Sequence, residues 1–161
     1  MAEVATLKLT RPVVLVGMMG AGKTAVGGAV AVRVGVPFID SDHEIEIAAN
    51  ARIAEIFDRD GEAFFRDRET EVLSRLLTGA PAILSTGGGA FLAERNRELI
   101  AELGVSVWLD ADLDLLWNRV RHKTTRPLLL TDDPKATLTE IFEARVPIYA
   151  KAAVHVKAVP D

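Results

Sequence analysis

The chain of 161 residues contains no cysteine, no basic run and no long apolar run. Without cysteine, disulfides and cysteine-ligated zinc sites are excluded. No apolar run approaches the roughly 20 residues that a membrane-spanning helix needs, and residues 1–10 lack the apolar core of a signal peptide. The net charge of −4 argues against a nucleic-acid partner. We therefore expect a cytoplasmic protein with no membrane or nucleic-acid partner.

The composition is that of a globular domain, since 49% of the residues are hydrophobic. Short apolar runs alternate with helical patterns, which predicts a three-layer, doubly wound α/β fold around a five-stranded parallel sheet. Ligands of such sheets bind beyond the carboxyl ends of the strands. The predicted strands are 13–17, 37–40, 82–85, 105–109 and 153–157, and the predicted helices are 22–34, 43–50, 53–59, 62–77, 93–103, 113–121 and 136–150.

Residues 17–24 read G-M-M-G-A-G-K-T and match the phosphate-binding loop G-x-x-x-x-G-K-[ST]. The match lies between a buried-strand pattern and a helical pattern, which is the context that this loop requires. Its backbone N–H groups would point at phosphate oxygens, Lys23 would approach the β- and γ-phosphates, and the Thr24 hydroxyl would ligate Mg²⁺. The sequence therefore predicts binding of a nucleoside triphosphate, with contacts from Gly20, Ala21, Gly22, Lys23, Thr24 and Ala25.

Two carboxylates, Asp40 and Asp42, follow the second predicted strand. One could hold the hydration shell of Mg²⁺ while the other meets a substrate hydroxyl, as phosphoryl transfer requires. The alternative is that Ser41 or Asp42 only caps the next helix. The phosphate-binding loop favours the site.

Arg66 and Glu69 are three residues apart on a predicted helix and could pair. A surface salt bridge and an anion-binding arginine held by Glu69 both fit this spacing, and the spacing alone leaves both open. Three glycines, Gly87, Gly88 and Gly89, stand at the ligand edge of the sheet, where they permit close approach of the backbone to a small molecule.

Residues 122–135 are polar and basic at first, then leucine-rich, and end in a turn pattern. A segment of this length is either a functional lid or an exposed loop. Arg119, Arg126 and Arg145 lie in or beside it and could stabilise a transferring phosphate, although each alone is more often a surface arginine. Asp110 resembles a magnesium ligand but is interpreted as structural, with Asp112 as a helix cap. The three histidines lack metal-ligand spacing.

Together these motifs resemble those of the shikimate kinases, in order and in spacing, from about residue 13 to residue 149. The residues that carry the resemblance are the phosphate-binding loop 17–24, Asp40-Ser41-Asp42, Glu55-Ile56-Phe57, Phe65-Arg66-Asp67-Arg68-Glu69, Gly87-Gly88-Gly89, Arg126-Pro127-Leu128-Leu129 and Arg145-Val146-Pro147-Ile148-Tyr149.

The resemblance implies a nucleoside monophosphate kinase-like fold and ATP-dependent phosphorylation of the shikimate 3-hydroxyl. It implies that Lys23, Asp42 and Arg126 are catalytic, that Thr24 and, through water, Asp40 hold Mg²⁺, and that Arg119 lies against adenine. It further implies that shikimate contacts Asp42, Phe57, Phe65, Arg66, Glu69, Gly87, Gly88, Gly89 and Arg145.

The resemblance also implies one monomeric domain, with a core at 12–121 and 136–157, a lid at about 122–135 and substrate-binding helices at about 41–77. Two departures are expected to matter. The family usually continues beyond the last strand, and if no such segment follows Asp161, weaker ATP binding and lower stability are expected. Arg52 stands where the family often has a capping serine, at a modest expected cost in stability.

Gluconate kinase is the nearest enzymatic alternative, because it also combines a phosphate-binding loop with a lid and acts on a carboxylated polyol. The triple glycine together with Arg66 and Arg145 favours shikimate. A nucleotide-binding module without activity is an alternative of another class, against which the intact Lys23, Asp42 and Arg126 argue. A regulatory GTPase is disfavoured because the chain has no N-K-x-D guanine motif.

Overall fold

The computed structural model describes residues 9–121 and 131–158. Within them the chain forms a five-stranded parallel sheet in the order β2-β3-β1-β4-β5. Helices cover the sheet, which confirms the predicted fold class. The strands are β1 (Val13–Val16), β2 (Phe38–Asp40), β3 (Ile83–Ser85), β4 (Val105–Asp110) and β5 (Val154–Lys157).

Seven helices connect and flank the strands in the described part of the chain, and each lies within two residues of its predicted bounds. They are α1 (Lys23–Val34), α2 (Ser41–Ala49), α3 (Ile53–Asp60), α4 (Glu62–Leu77), α5 (Glu94–Leu103), α6 (Leu113–Val120) and α7 (Pro134–Tyr149). A short 3₁₀ turn, Ala90–Leu92, was not predicted.

Capping explains the two helices that begin two residues earlier than predicted. The Asp40 side chain accepts a hydrogen bond from the Asp42 N–H and starts α2, and Asp133 accepts from the Ala136 N–H and starts α7 at Pro134. The capping alternative for Ser41 or Asp42 was therefore wrong, because Asp40 is the cap. Asp112 occupies the N-cap position of α6, as predicted, but its side chain makes no cap bond and accepts from Lys157 Nζ at 2.6 Å instead.

The register of the strands brings the polar strand ends to one edge. Leu15 of β1 stands opposite Ser85 of β3, and Ser85 stands opposite Asp40 of β2. On the other side, Val16 stands opposite Trp108 of β4. Because β1 lies between β3 and β4, the loop after β1 emerges where the strand order reverses, which is where such sheets bind ligands.

Apolar side chains pack on both faces of the sheet. On one face Leu15, Ala31 and Ile83 bury a small cluster under α1. Gly27 allows the close approach of this helix, since a Cβ there would lie 2.5 Å from Phe38 Cε1. The larger cluster fills the other face and includes Val14, Leu84, Ile100, Leu116 and Leu138, all fully buried. None of the described helices is long and apolar enough to cross a membrane.

The helices α2 to α4 pack on one another, and their buried side chains, among them Ile45, Ile56 and Leu73, belong to the larger cluster. Asn50 ends α2 in the left-handed conformation, at φ 52°. Arg52 gives no side-chain cap to α3, as expected, but Glu46 Oε2 accepts from the Ile53 N–H at 3.1 Å and supplies an oxygen in its place. Most of the predicted lid, residues 122–130 with Arg126, lies outside the described residues.

Candidate active site

The phosphate-binding loop follows β1 and ends at the first turn of α1. Gly17, Gly20 and Gly22 have φ of 148°, 83° and 99°, a region that side chains other than glycine rarely adopt. At Gly20 a Cβ would also lie 2.8 Å from Val120 Cγ1. The loop therefore depends on its glycines for its shape, and that shape together with the N-terminus of α1 fits a phosphate group.

Two cations approach this loop from different directions. Lys23 Nζ donates to the carbonyl of Gly17 at 2.6 Å. Arg119, which comes from α6, donates through Nη1 to the carbonyl of Gly20 at 2.9 Å. Both side chains thus stand where a polyphosphate on the loop would be neutralised.

A cavity of about 800 Å³ opens over the loop. It is lined by residues 18–26 of the loop and α1, by Asp40, Asp42, Ser85, Thr86, Gly87 and Gly88 at the strand ends, and by Leu109, Arg119, Val120, Val156, Lys157 and Ala158. This volume is within the range of small-molecule sites. The structure thus brings the predicted nucleotide-binding and metal-binding residues together, except Arg126.

Asp42 has an unusual electrostatic environment at the mouth of this cavity. Burial, together with the neighbouring carboxylates of Asp40 and Glu69, raises its pKa from 3.8 to about 6, and Lys23 acts in the opposite direction. A carboxyl group in such surroundings accepts a proton more readily than an exposed one. Raised carboxyl pKa values are common among catalytic bases.

The three consecutive glycines, here called the glycine segment (Gly87, Gly88 and Gly89), each contact one predicted site side chain. A Cβ on Gly87 would lie 2.6 Å from Asp42 Oδ2. On Gly88 it would lie 2.7 Å from Arg145 Nη1, and on Gly89 it would lie 2.7 Å from Arg66 Nη2. The segment is therefore a wall of bare backbone against which one carboxylate and two guanidinium groups rest.

Arg66 is held by a buried partner. Its Nη1 donates to Glu69 Oε1 at 2.9 Å and to Oε2 at 3.1 Å, and Glu69 is only 3% exposed. Burial raises the pKa of Glu69, while Arg66 and Arg95 act in the opposite direction. The surface salt bridge that the spacing allowed is thus not what forms, because one partner lies inside the protein.

One aromatic ring lies beside this arginine, and a second ring packs on the first. The guanidinium carbon of Arg66 lies 5.1 Å from the centroid of the Phe65 ring. The Phe65 ring is 4.8 Å from that of Phe57. Aromatic and charged groups thus meet beside the glycine segment, as expected for a site that binds a small ring with an anionic substituent.

The predicted acceptor residues are divided between the cavity lining, which includes Asp42, Gly87 and Gly88, and a second cluster beside it. Phe57, Phe65, Arg66, Glu69, Gly89 and Arg145 adjoin the cavity across the glycine segment. Asp110 does not line the cavity and lies 3.9 Å from Lys157 Nζ. In the described ranges, no group of three or more His, Asp or Glu side chains could by itself hold a metal ion.

Two buried polar residues that bind the backbone of the glycine segment or of Ala90, the residue after it, were not predicted. The Tyr149 hydroxyl donates to the carbonyl of Gly88 at 2.6 Å. Asn96, which is fully buried, donates to the carbonyl of Ala90 at 2.9 Å and accepts from Thr70 Oγ1 at 2.7 Å. Asn96 shares the buried face of α5 with Ile100, four residues later, and this amide on an apolar stripe was the available signal.

Comparison with known proteins agrees with this geometry. The family model described as shikimate kinase matches residues 19–160. A shikimate kinase from Ruegeria pomeroyi is 72% identical over 144 residues, which are 89% of this chain and 74% of that protein. The chain belongs to the shikimate kinase family. It is thus a small-molecule kinase of a family that uses ATP.

Solved structures of the family extend the agreement to the fold. A structure of shikimate kinase from Acinetobacter baumannii in complex with shikimate matches with a TM-score of 0.87 and 38% identity, over 99% of this chain and 88% of that one. A gluconokinase from Sinorhizobium meliloti matches with a TM-score of 0.61 but only 20% identity, over 96% of this chain and 86% of that one. The second likeness shows a shared fold and carries no evidence for gluconate.

Proposed function

We propose that this enzyme transfers the γ-phosphoryl group of ATP to the 3-hydroxyl of shikimate. The observation that carries the proposal is the glycine segment, whose successive residues contact Asp42, Arg145 and Arg66 beside the phosphate-binding loop. A carboxylate that can orient a hydroxyl and two guanidinium groups that can bind a carboxylate suit a carboxylated polyol.

The donor nucleotide is proposed to lie along the loop, in contact with Gly20, Ala21, Gly22, Lys23, Thr24 and Ala25. Lys23 and Arg119 supply positive charge, and Arg119 is proposed to reach the adenine end. Thr24 and Asp40 both line the cavity and offer oxygen donors, which Mg²⁺ prefers, so these two residues are proposed to hold it, Asp40 through water. The ion, when bound, neutralises phosphate charge.

The acceptor is proposed to bind across the glycine segment. Arg66 and Arg145 bind its carboxylate, Glu69 fixes the orientation of Arg66, and Phe57 and Phe65 flank its ring. The backbone of Gly87, Gly88 and Gly89 faces the substrate closely because no side chain intervenes. These roles rest on the contacts described above and on the chemistry of the residues.

Asp42 is proposed to orient the acceptor hydroxyl and to take its proton. The hydroxyl oxygen forms a bond to the γ-phosphorus while the bond from that phosphorus to the β,γ-bridging oxygen breaks. ADP leaves with the bridging oxygen, and the hydroxyl proton passes to the Asp42 carboxylate. Lys23 stabilises the charge that develops on the transferring group, and Arg126 is proposed to add to this from the lid.

The domain organisation belongs to the same proposal. The core is 12–121 with 136–157, the helices at about 41–77 bind the acceptor, and the segment at about 122–135 closes over the donor. A monomer is proposed because one chain supplies every described residue of the two clusters. Sedimentation equilibrium tests the monomer, and fractionation of cells tests the proposed cytoplasmic location.

A coupled assay for ADP release tests the function, with Mg-ATP and with shikimate, gluconate or AMP offered separately. Turnover with shikimate alone supports the proposal. Turnover with gluconate alone supports the gluconate kinase alternative. Binding of ATP without turnover on any acceptor would indicate a nucleotide-binding module without activity.

A further inference from the structure

Tyr149 is the last residue of α7, and its side chain is fully buried between Trp108 of β4 and the glycine segment. Its ring packs against Trp108, with 6.3 Å between the ring centroids. Its hydroxyl reaches the glycine segment, where it donates to the Gly88 carbonyl oxygen at 2.6 Å. The ring of Tyr149 fills the core, and its hydroxyl adds a hydrogen bond that packing by itself does not require.

The Arg145 guanidinium, four residues earlier on the same helix, lies near the same hydroxyl: Arg145 Nη1 and the Tyr149 hydroxyl oxygen lie 2.7 and 3.9 Å from the point where a Cβ of Gly88 would be. Residues at this spacing lie on one face of a helix. A tyrosine hydroxyl has one proton and can also accept. Because the proton is used on the Gly88 carbonyl, the hydroxyl turns its acceptor side to the neighbouring Arg145 guanidinium. The hydroxyl thus links the arginine to the backbone on which that arginine rests.

The Arg145 guanidinium has little room to move on the side that faces Gly88. Its Nη1 lies 2.7 Å from the point where a Cβ of Gly88 would be. The guanidinium therefore lies against bare backbone, with the Tyr149 hydroxyl beside it. Its N–H groups keep a fixed direction, as a bidentate bond to a carboxylate requires.

We propose that Tyr149 is a positioning residue that fixes the Arg145 guanidinium for the carboxylate of the acceptor. The inference rests on the proposed function, in which Arg145 binds that carboxylate. Tyr149 itself touches neither the acceptor nor the donor. Its effect on activity passes through Arg145 and the Gly88 carbonyl.

The first test is Tyr149→Phe, which keeps the ring and removes the hydroxyl. We expect KM for shikimate to rise about tenfold, because the Gly88 carbonyl loses its hydrogen bond and the guanidinium that rests on Gly88 loses the polar group beside it. We expect kcat and KM for ATP to stay within about threefold of the parent values, since the substitution leaves the phosphate-binding loop and its contacts unchanged. An unchanged KM for shikimate overturns the inference.

Ser106→Ala is the matched control. Ser106 is buried, and its hydroxyl accepts from the Ala153 N–H at 2.8 Å, so the substitution also removes one buried hydrogen bond near the end of α7. Ser106 does not line the nucleotide cavity. We expect a loss of stability similar to that of Tyr149→Phe with an unchanged KM. Equal rises in KM for both variants would show a general structural effect and overturn the inference.

Arg145→Ala separates the inference from the proposed function. We expect a rise in KM for shikimate in Arg145→Ala, and less than a twofold further rise when Tyr149→Phe is added, because the hydroxyl acts through the absent guanidinium. If the two substitutions multiply in their effects on KM for shikimate, the inference is overturned, while the proposed function stands. A normal KM in Arg145→Ala overturns the role of Arg145 and the inference with it, while turnover of shikimate would still stand.

A second measurement does not depend on whether a Tyr149 variant folds. The chain contains a single tyrosine, so biosynthetic incorporation of 3-fluorotyrosine places one ¹⁹F label at position 149. We expect shikimate to shift the ¹⁹F resonance with the same saturation curve as in the activity assay, and we expect no shift in Arg145→Ala. A resonance that does not respond to shikimate in the parent protein overturns the inference.

Discussion

Adding a methyl group to the glycine segment tests the arrangement of the acceptor site most directly. None of its three residues has a positive φ, so the backbone of an alanine fits at each without strain. The effect of a substitution must therefore come from the contact made by the new Cβ. At Gly88 that atom would lie 2.7 Å from Arg145 Nη1, and at Gly89 it would lie 2.7 Å from Arg66 Nη2.

The distances set the size of the expected effect. Ordinary contacts of a Cβ begin at 3.4 Å, so each guanidinium must withdraw by about 0.7 Å. A misplacement of about 1 Å in a binding group can cost about a hundredfold in rate. We therefore expect Gly88→Ala and Gly89→Ala to lower kcat/KM about 10- to 100-fold, mainly through KM for shikimate. Stability should change little, because the ends of flexible side chains move.

Gly87→Ala should behave differently from the other two. Its Cβ would lie 2.6 and 2.7 Å from the two carboxylate oxygens of Asp42 and 2.9 Å from Cγ. The whole carboxyl group must then move away from the acceptor hydroxyl. We expect the loss in Gly87→Ala to fall on kcat, since orientation of the reacting hydroxyl is disturbed.

Gly28→Ala on α1 is the control, because a Cβ there meets nothing within 4 Å. It should leave steady-state kinetics unchanged and raise the free energy of unfolding by about 0.5–1 kcal/mol, as expected for glycine to alanine inside a helix. Steady-state kinetics with varied shikimate and urea unfolding of each variant supply the measurements. Parent values of KM in both Gly88→Ala and Gly89→Ala would refute the reasoning.

Three further predictions concern single side chains. Asp42→Asn should abolish turnover and spare ATP binding, and normal kcat would remove the proposed role of Asp42. Because the pKa of Asp42 is about 6 when folded and 3.8 ordinarily, the unfolding free energy falls as pH rises between these values. Urea unfolding in EDTA should therefore show Asp42→Asn to be more stable by up to about 3 kcal/mol at pH 8, with no gain at pH 3.5. Arg66→Ala should raise KM for shikimate at least tenfold, and an unchanged KM would exclude Arg66 from the site. Asn96→Ala should lower the unfolding free energy by about 1–3 kcal/mol, because the Ala90 carbonyl loses the hydrogen bond from the buried Asn96 side chain, whereas a loss below about 0.5 kcal/mol would contradict that assignment.

Most of the fold could be predicted because the pattern of apolar residues changes clearly between strands and helices. The errors lie where one residue has two roles. Asp40 is both the last residue of β2 and the cap of α2, so the pattern placed the helix two residues late. The 3₁₀ turn after the glycine segment depends on two backbone hydrogen bonds, Ala90 N to Gly87 O and Leu92 N to Gly89 O. Apolar periodicity carries no information about such a turn.

The candidate site was less predictable, because burial decides the meaning of its charged residues. The spacing of Arg66 and Glu69 is the same for an exposed pair and for a buried one. Only the packing of α4 puts Glu69 inside the protein and makes it a fixed partner. Tyr149 belonged to a recognised motif, but its contact with Gly88 spans 61 residues of sequence. A contact at that separation is set by the topology of the whole sheet.

The glycine segment also explains how the donor and acceptor clusters keep a constant separation. Asp42, Arg145 and Arg66 come from α2, α7 and α4, and all three rest on consecutive residues of one strand end. That strand, β3, is paired with β1. Thr86, the residue after β3, extends this pairing, because it donates to the Leu15 carbonyl through its N–H at 3.3 Å and through Oγ1 at 3.1 Å. Since β1 leads directly into the phosphate-binding loop, the two clusters are fixed to neighbouring strands. In-line phosphoryl transfer needs a fixed distance between hydroxyl and phosphorus, and a sheet register is among the most rigid ways to set one.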